Sequence, residues 1–227
     1  MIALIAAMQA EVDEMLKLTT DSKKVIKDSF AFWEGKLENQ SIVIMLSGVG
    51  KGNAAMAAAM LITNYRPQAI INIGTAGGLC DDQEVLDVVI GTRVVQHDFD
   101  TSPVDGDEGI GLYFDSDQAL CDSCKRVCEK MQVRNHSGLI ASGDQFIDLY
   151  IVDSLLHRYS GALCAEMEAG AIAQACTRFQ VPFVILRSLS DIAVHDNNHL
   201  TYQEYVALAA SRSARMCKEI INEIACG

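Results

Sequence analysis

Two short segments hold the residues with the clearest chemical potential. Ala165-Glu166-Met167-Glu168-Ala169 sets two carboxylates against an apolar run, and Arg187-Ser188-Leu189-Ser190-Asp191 follows it. A helix beginning Glu-Met-Glu and continuing as Ala169, Gly170, Ala171, Ile172 and Ala173 buries carboxylates at a cost unless they bind something. The run Val181 to Leu189 reads as a buried strand that delivers Arg187, Ser190 and Asp191 to one end. Strand ends are where open α/β sheets keep their ligands. The pattern implies a polar ligand site rimmed by apolar side chains.

Other features have ordinary explanations as well as chemical ones. Glu11 lies in the first turn of a helix, where a lone acid complements the helix dipole. Ser47-Gly48-Val49-Gly50-Lys51-Gly52 invites a phosphate-loop reading, but that motif needs glycine where Met45 stands and Ser or Thr where Gly52 stands. It remains a strand-to-helix turn whose N–H groups still point at whatever sits there. Gly74-Thr75-Ala76-Gly77-Gly78 is a second close-approach turn, with one hydroxyl. Phe146 and Ile147, after Ser142-Gly143-Asp144, either stack on a planar ligand or enter the core; the residues alone favour the core. His195 and His199 flank Asp196, but Asn197-Asn198 between them reads as solvated loop. Cys121, Cys124 and Cys128 have the spacing of a buried helix face, and no second Cys/His pair completes a metal site.

The elements that must position these residues alternate along the chain. Residues 2–7 read as a buried strand and 9–18 as a helix; 30–37 and 42–47 form a strand pair turning at Glu38-Asn39-Gln40. An Ala-rich helix spans 54–64, a strand 69–73, and a further strand 85–96. Residues 97–111, rich in glycine and acids, read as a loop. Helix 117–131, strand 137–141, helices 149–159 and 166–179, strand 181–189 and helix 202–225 complete the pattern. With no linker or repeat, this is one α/β domain over residues 1–227, with a central sheet.

Composition narrows the function classes. The chain has 227 residues, half of them apolar and only three proline, which suits one substantial core. A formal net charge of −12 argues against nucleic acid or an anionic membrane as the main partner. No apolar run reaches the roughly 20 residues of a bilayer span. Met1 to Met8 lacks a basic flank and runs into Glu11, so it does not read as a signal peptide. Free thiols among the eight cysteines fit a soluble, cytosolic protein.

Six blocks, taken in order, resemble a known family: Ala7-Met8-Gln9-Ala10-Glu11-Val12, Ser47-Gly48-Val49-Gly50-Lys51, Asn72-Ile73-Gly74-Thr75-Ala76-Gly77-Gly78, Ser142-Gly143-Asp144-Gln145-Phe146-Ile147, Glu166-Met167-Glu168 and Arg187-Ser188-Leu189-Ser190-Asp191. Nearly end to end, the chain is similar to the 5′-methylthioadenosine/S-adenosylhomocysteine nucleosidases of the nucleoside phosphorylase superfamily. The resemblance implies a mixed, partly barrel-like central sheet flanked by helices, a homodimer, no cofactor or metal, and hydrolysis of the adenine–ribose bond. It casts Asp191 as the general acid that protonates adenine N7, a role that requires the group to hold its proton at neutrality in a dry cavity. Glu11 would activate the attacking water, held by Arg187 and Thr75. Glu168 would bridge the ribose hydroxyls and stabilise cationic ribose. Met167 would lie on the sugar, Phe146 would stack on adenine, and the Ile147 backbone would read its edge. Ser190 would support Asp191; Met8, Val49 and Tyr202 would wall the 5′-alkylthio group; Ala76, Gly77 and Glu166 complete the substrate-binding set.

In relatives a loop near residues 97–112 closes the partner subunit's 5′ pocket with aromatic and apolar groups. Here Asp100-Thr101-Ser102-Pro103-Val104-Asp105-Gly106-Asp107 is acidic, which leaves the preferred 5′ substituent open. The rival readings are a phosphorolytic nucleoside phosphorylase, a nucleosidase for another adenosine derivative such as a futalosine-type substrate, and a non-catalytic nucleoside binder. Phosphorolysis needs a cationic phosphate pocket, and the segment after the first strand, Gln9-Ala10-Glu11-Val12-Asp13-Glu14, offers no arginine.

Overall fold

Ile2–Ala6 (β1) is apolar and buried at every position, because it lies between two parallel neighbours and both its faces are covered. A computed structural model describes residues 1–193 and 202–226. Helix Gln9–Leu18 (α1) follows, then strands Thr20–Lys27 (β2), Phe30–Leu37 (β3) and Gln40–Leu46 (β4), and helix Lys51–Tyr65 (α2). Strands Ala69–Gly78 (β5) and Val88–Asp100 (β6) come next, then a helical turn Ser102–Asp105 (α3) and strand Ile110–Asp115 (β7). Helix Gln118–Lys130 (α4), strand Asn135–Ser142 (β8), helix Val152–Arg158 (α5), strand Ala162–Glu166 (β9), helix Ala169–Phe179 (α6), strand Phe183–Ile192 (β10) and helix Tyr202–Cys226 (α7) complete the order.

The ten strands form one mixed sheet. Pairings β5–β10, β10–β6, β6–β8, β8–β9 and β9–β5 close a ring. From β5 the sheet continues outward through β1, β4, β3 and β2. This is the partly barrel-like mixed sheet that the resemblance implies. Side chains alternate between its faces. Ile2, Leu4 and Ala6 meet Val12 and Met15 of α1 and Cys217, Ile220 and Ile221 of α7. Ala3 and Ile5 meet Ala54, Ala57, Ala58 and Leu61 of α2 and Ile172 and Ala173 of α6. Among the described residues, no helix is long and apolar enough to cross a membrane.

Four features depart from the sequence reading. Residues 97–111 are not one loop: β6 runs on to Asp100, Pro103 sits in the first turn of α3, and β7 pairs back through Gln96↔Leu112 and Asp100↔Ile110. Antiparallel backbone pairing overrides the loop-like composition. β2 gives no apolar signal because it is an exposed edge strand with Lys23, Lys24 and Lys27, a composition that discourages further pairing. Helix 166–179 starts instead at Ala169, since Glu166 ends β9. α2 begins at Lys51, one residue beyond Gly50, whose φ of 94° suits glycine.

Cys121, Cys124 and Cys128 line the buried face of α4 beside α7. Burial pushes the Cys121 and Cys128 thiols up to about 11, as for inert packing groups. Cys124→Ser should therefore lower stability by about 1–3 kcal/mol by burying a hydroxyl. A chelator should leave the wild-type unfolding midpoint unchanged. A chelator-induced drop would mean that the thiols hold a metal.

Candidate active site

The mutually parallel strands β1, β5 and β10 end at one cleft with about 720 Å³ of non-protein space, part of it open to solvent. Met8 and Glu11 enter from the start of α1, and Val49 from the loop before α2. Thr75, Ala76 and Gly77 come from the end of β5, and Phe146 and Ile147 from the loop after β8. Glu166, Met167 and Glu168 come from the junction of β9 and α6, and Ser190 and Asp191 from β10. Residues from six separate segments of the sequence thus share a single cavity.

One expected residue stands apart from the cleft lining. Arg187 does not line the cleft. It is wholly enclosed, and Nη2 donates to Glu166 Oε2 at 2.5 Å and to Asn72 Oδ1 at 2.6 Å, while Nη1 donates to the Leu186 carbonyl at 2.9 Å. It therefore anchors Glu166 from behind the cleft wall. The side chain of Tyr202 lies outside the described residues, as do His195, Asp196, Asn197, Asn198 and His199. Asn72 is the partner that the sequence reading missed. A polar residue within the buried strand Ala69–Ile73 needs an internal partner, and that was its available signal.

Local chemistry fixes each acid. Glu11 Oε2 accepts the N–H groups of Ala7 and Met8, both at 3.0 Å. The acid thus reaches back to its helix N-cap as in half of a capping box, so the ordinary role and a chemical role coincide. Its other oxygen makes no hydrogen bond within the protein among the described residues. Gly74 leaves the space beside it: a Cβ there would lie 3.3 Å from Arg187 Nη1 and 3.4 Å from Glu11 Oε1. Glu166 Oε2 accepts the N–H groups of Glu168 at 3.1 Å and Ala169 at 2.8 Å, besides Arg187, so it holds the start of α6. Glu168 Oε1 accepts the Gly50 N–H at 3.0 Å.

A bulge places the last acid. β10 pairs Leu189 with Ala76 and Asp191 with Gly77, leaving Ser190 as the extra residue. Alternation breaks there, and consecutive side chains Ser190 and Asp191 both line the cleft. The Ser190 hydroxyl donates to Asp191 Oδ1 at 2.6 Å. A Cβ on Gly77 would lie 3.2 Å from Asp191 Oδ2, so glycine keeps that approach open. Phe146 is 64% exposed beside the cleft and not in the core, which corrects the reading of the residues alone; Ile147 is buried and touches both.

Asp191 keeps partial exposure, while Glu11 and Glu168 are deeply enclosed. Burial pushes the Glu11 carboxyl up, against the Met8 N–H, the Arg187 charge and the Ala7 N–H. Burial and the neighbouring Glu166 charge push Glu168 up to about 7, against the pull of Arg187.

A family model described as the phosphorylase superfamily matches residues 1–222. The 5′-methylthioadenosine/S-adenosylhomocysteine nucleosidase of Halalkalibacterium halodurans is 38% identical, with 98% of each chain covered. The crystal structure of the Neisseria meningitidis nucleosidase of the same name, in complex with methylthio-immucillin-A, is similar with a TM-score of 0.90, 35% identity and 97% of each chain covered. A futalosine hydrolase of Helicobacter pylori has the same TM-score, 0.90, at 28% identity, covering 98% of this chain and 97% of its own.

The raised Glu168 has a consequence for stability. The folded protein holds that proton to about 7, against an ordinary value of 4.5, so the associated stability is fully present below 4.5 and is lost as pH rises through about 7. The loss should be about 3 kcal/mol. Urea unfolding at acidic and alkaline pH should show Glu168→Gln losing much less stability with rising pH than wild type. Equal pH slopes would contradict this placement of Glu168.

Proposed function

The chain belongs to the 5′-methylthioadenosine/S-adenosylhomocysteine nucleosidases of the phosphorylase superfamily, and on that premise we propose that it hydrolyses the N-glycosidic bond of these nucleosides to release adenine and a 5-thioribose product. Cleavage of C1′–N9 leaves cationic ribose and anionic adenine, and each needs a partner. Asp191 donates a proton to adenine N7 so that the base departs neutral. Glu11, with one oxygen held by Ala7 and Met8 and the other without a hydrogen bond among the described residues, takes the proton of the attacking water. Glu168 accepts the ribose hydroxyls and opposes the developing positive charge. Phe146 supplies a stacking face for adenine, Met167 packs on the sugar, and Met8 and Val49 supply apolar surface for the 5′-alkylthio group.

The observation that carries hydrolysis over phosphorolysis is the charge of the cleft. Four carboxylates, Glu11, Glu166, Glu168 and Asp191, line it, and no lysine or arginine does so among the described residues. A phosphate nucleophile would face repulsion there, whereas water would not. Arg187, the nearby cation, is engaged with Glu166 and Asn72.

We further propose a single nucleosidase domain over 1–227 and a cytosolic setting, supported by the free buried thiols. A homodimer, in which segment 97–112 closes the partner's 5′ pocket, is supported by exposed Phe99 and by Val104, which is 87% exposed.

An adenine-release assay over a panel of 5′-substituted adenosines, including a futalosine-type nucleoside, tests the reading. Asp191→Asn should lower kcat by about 10²–10⁴-fold while adenine affinity changes little. Phosphate should leave the rate unchanged. Acceleration by phosphate, or full turnover by the Asn variant, would overturn it.

A further inference from the structure

The turn that fails as a phosphate loop ends in Lys51, a cation for which the proposed chemistry has no use. Its ammonium turns instead to acids on two other segments. It pairs with Asp98 on β6 and lies 3.9 Å from Asp144 Oδ2, in the loop after β8. Backbone groups tie the same residues together: the Asp144 N–H donates to Asp98 Oδ2 at 2.9 Å, and the Lys51 N–H donates to Asp144 Oδ1 at 2.7 Å. Asp144 therefore caps the start of α2 from a distant part of the chain. The preceding N–H, that of Gly50, goes to Glu168. A Cβ at Gly50 would lie 3.3 Å from Asp144 Oδ1, so the approach is already close.

This knot lies just behind two sides of the cleft mouth. Val49 is two residues before Lys51 and Phe146 two residues after Asp144, and both line the cleft while largely exposed. Neither is held by burial of its own side chain, so the backbone must place it. The Lys51 side chain is only 16% exposed, which limits the solvent screening that weakens surface pairs.

We propose that Lys51, Asp98 and Asp144 form a latch that fixes the Val49 and Phe146 loops relative to one another, making Lys51 a positioning residue for binding of the base. The latch rests on the nucleosidase reading only for the identity of that base. Lys51→Met keeps the backbone N–H to Asp144 and removes the ammonium; Lys51→Arg keeps the charge. Hydrogen exchange over residues 143–148 should speed up in the Met variant and not in the Arg variant. KM for methylthioadenosine and the Kd for adenine should both rise about three- to tenfold in the Met variant, with kcat little changed and the Arg variant near wild type. Unchanged exchange overturns the latch whatever the activity. Faster exchange with unchanged adenine affinity, or a loss of kcat alone, overturns its positioning role. Failure of wild type to bind adenine would sink the nucleosidase reading, while the exchange measurement would still decide the latch.

Discussion

Arg187 is enclosed entirely by protein, and the charges around it are negative. It donates to Glu166 and Asn72, and its charge acts on Glu11 and Glu168. A guanidinium without partners would be costly to bury, and so would Glu166 alone. Their pairing makes both tolerable and joins β10, β5 and the β9–α6 junction at one point. Burial in the cleft raises Glu11, and burial with the neighbouring Glu166 charge raises Glu168, each against the pull of the cation behind them. Removing either partner of the inner pair would expose its counterpart to the full cost of an unpaired buried charge, of the order of 3–5 kcal/mol. The position of Arg187 therefore ties the site together and opposes the burial that raises its acids.

Helix starts supply a second, weaker source of positive potential. The N-termini of α1, α2 and α6 each carry a carboxylate: Glu11 on its own helix, Asp144 and Glu168 on α2, and Glu166 on α6. Free N–H groups at these ends offer hydrogen bonds and a favourable dipole to anions. Acids that sequence patterns read as routine helix-start residues are held here by backbone, with an orientation that side-chain packing alone would not fix. The bulge at Ser190 completes the set by turning two neighbouring side chains toward the same space.

Much of this was legible in the residues, for identifiable reasons. The buried strand β1 is a continuous apolar run and β10 opens on one, Phe183 to Leu186, and Glu11 and Asp191 sit near their ends. What failed was whatever depends on pairing between distant segments. β2 is polar because it is an edge, and β6 and β7 continue through an acidic stretch because they pair with each other. Glu166 looked like a helix residue because its capping of α6 is made by the side chain of a strand-terminal residue. Phe146 looked like core because aromatic content says nothing of a loop that leaves the ring exposed beside a cleft. The bulge is a property of register and leaves no mark in composition.

Whether burial in the cleft outweighs the pull of Arg187 is read most directly from the carboxyls themselves. Isotope-edited infrared titration of labelled glutamates, assigned with Glu11→Gln and Glu168→Gln, would follow each ionisation separately. Glu168 should titrate near 7, and Glu11 above the ordinary 4.5. Titration of both at 4.5 would contradict a site whose burial outweighs the pull of its one guanidinium.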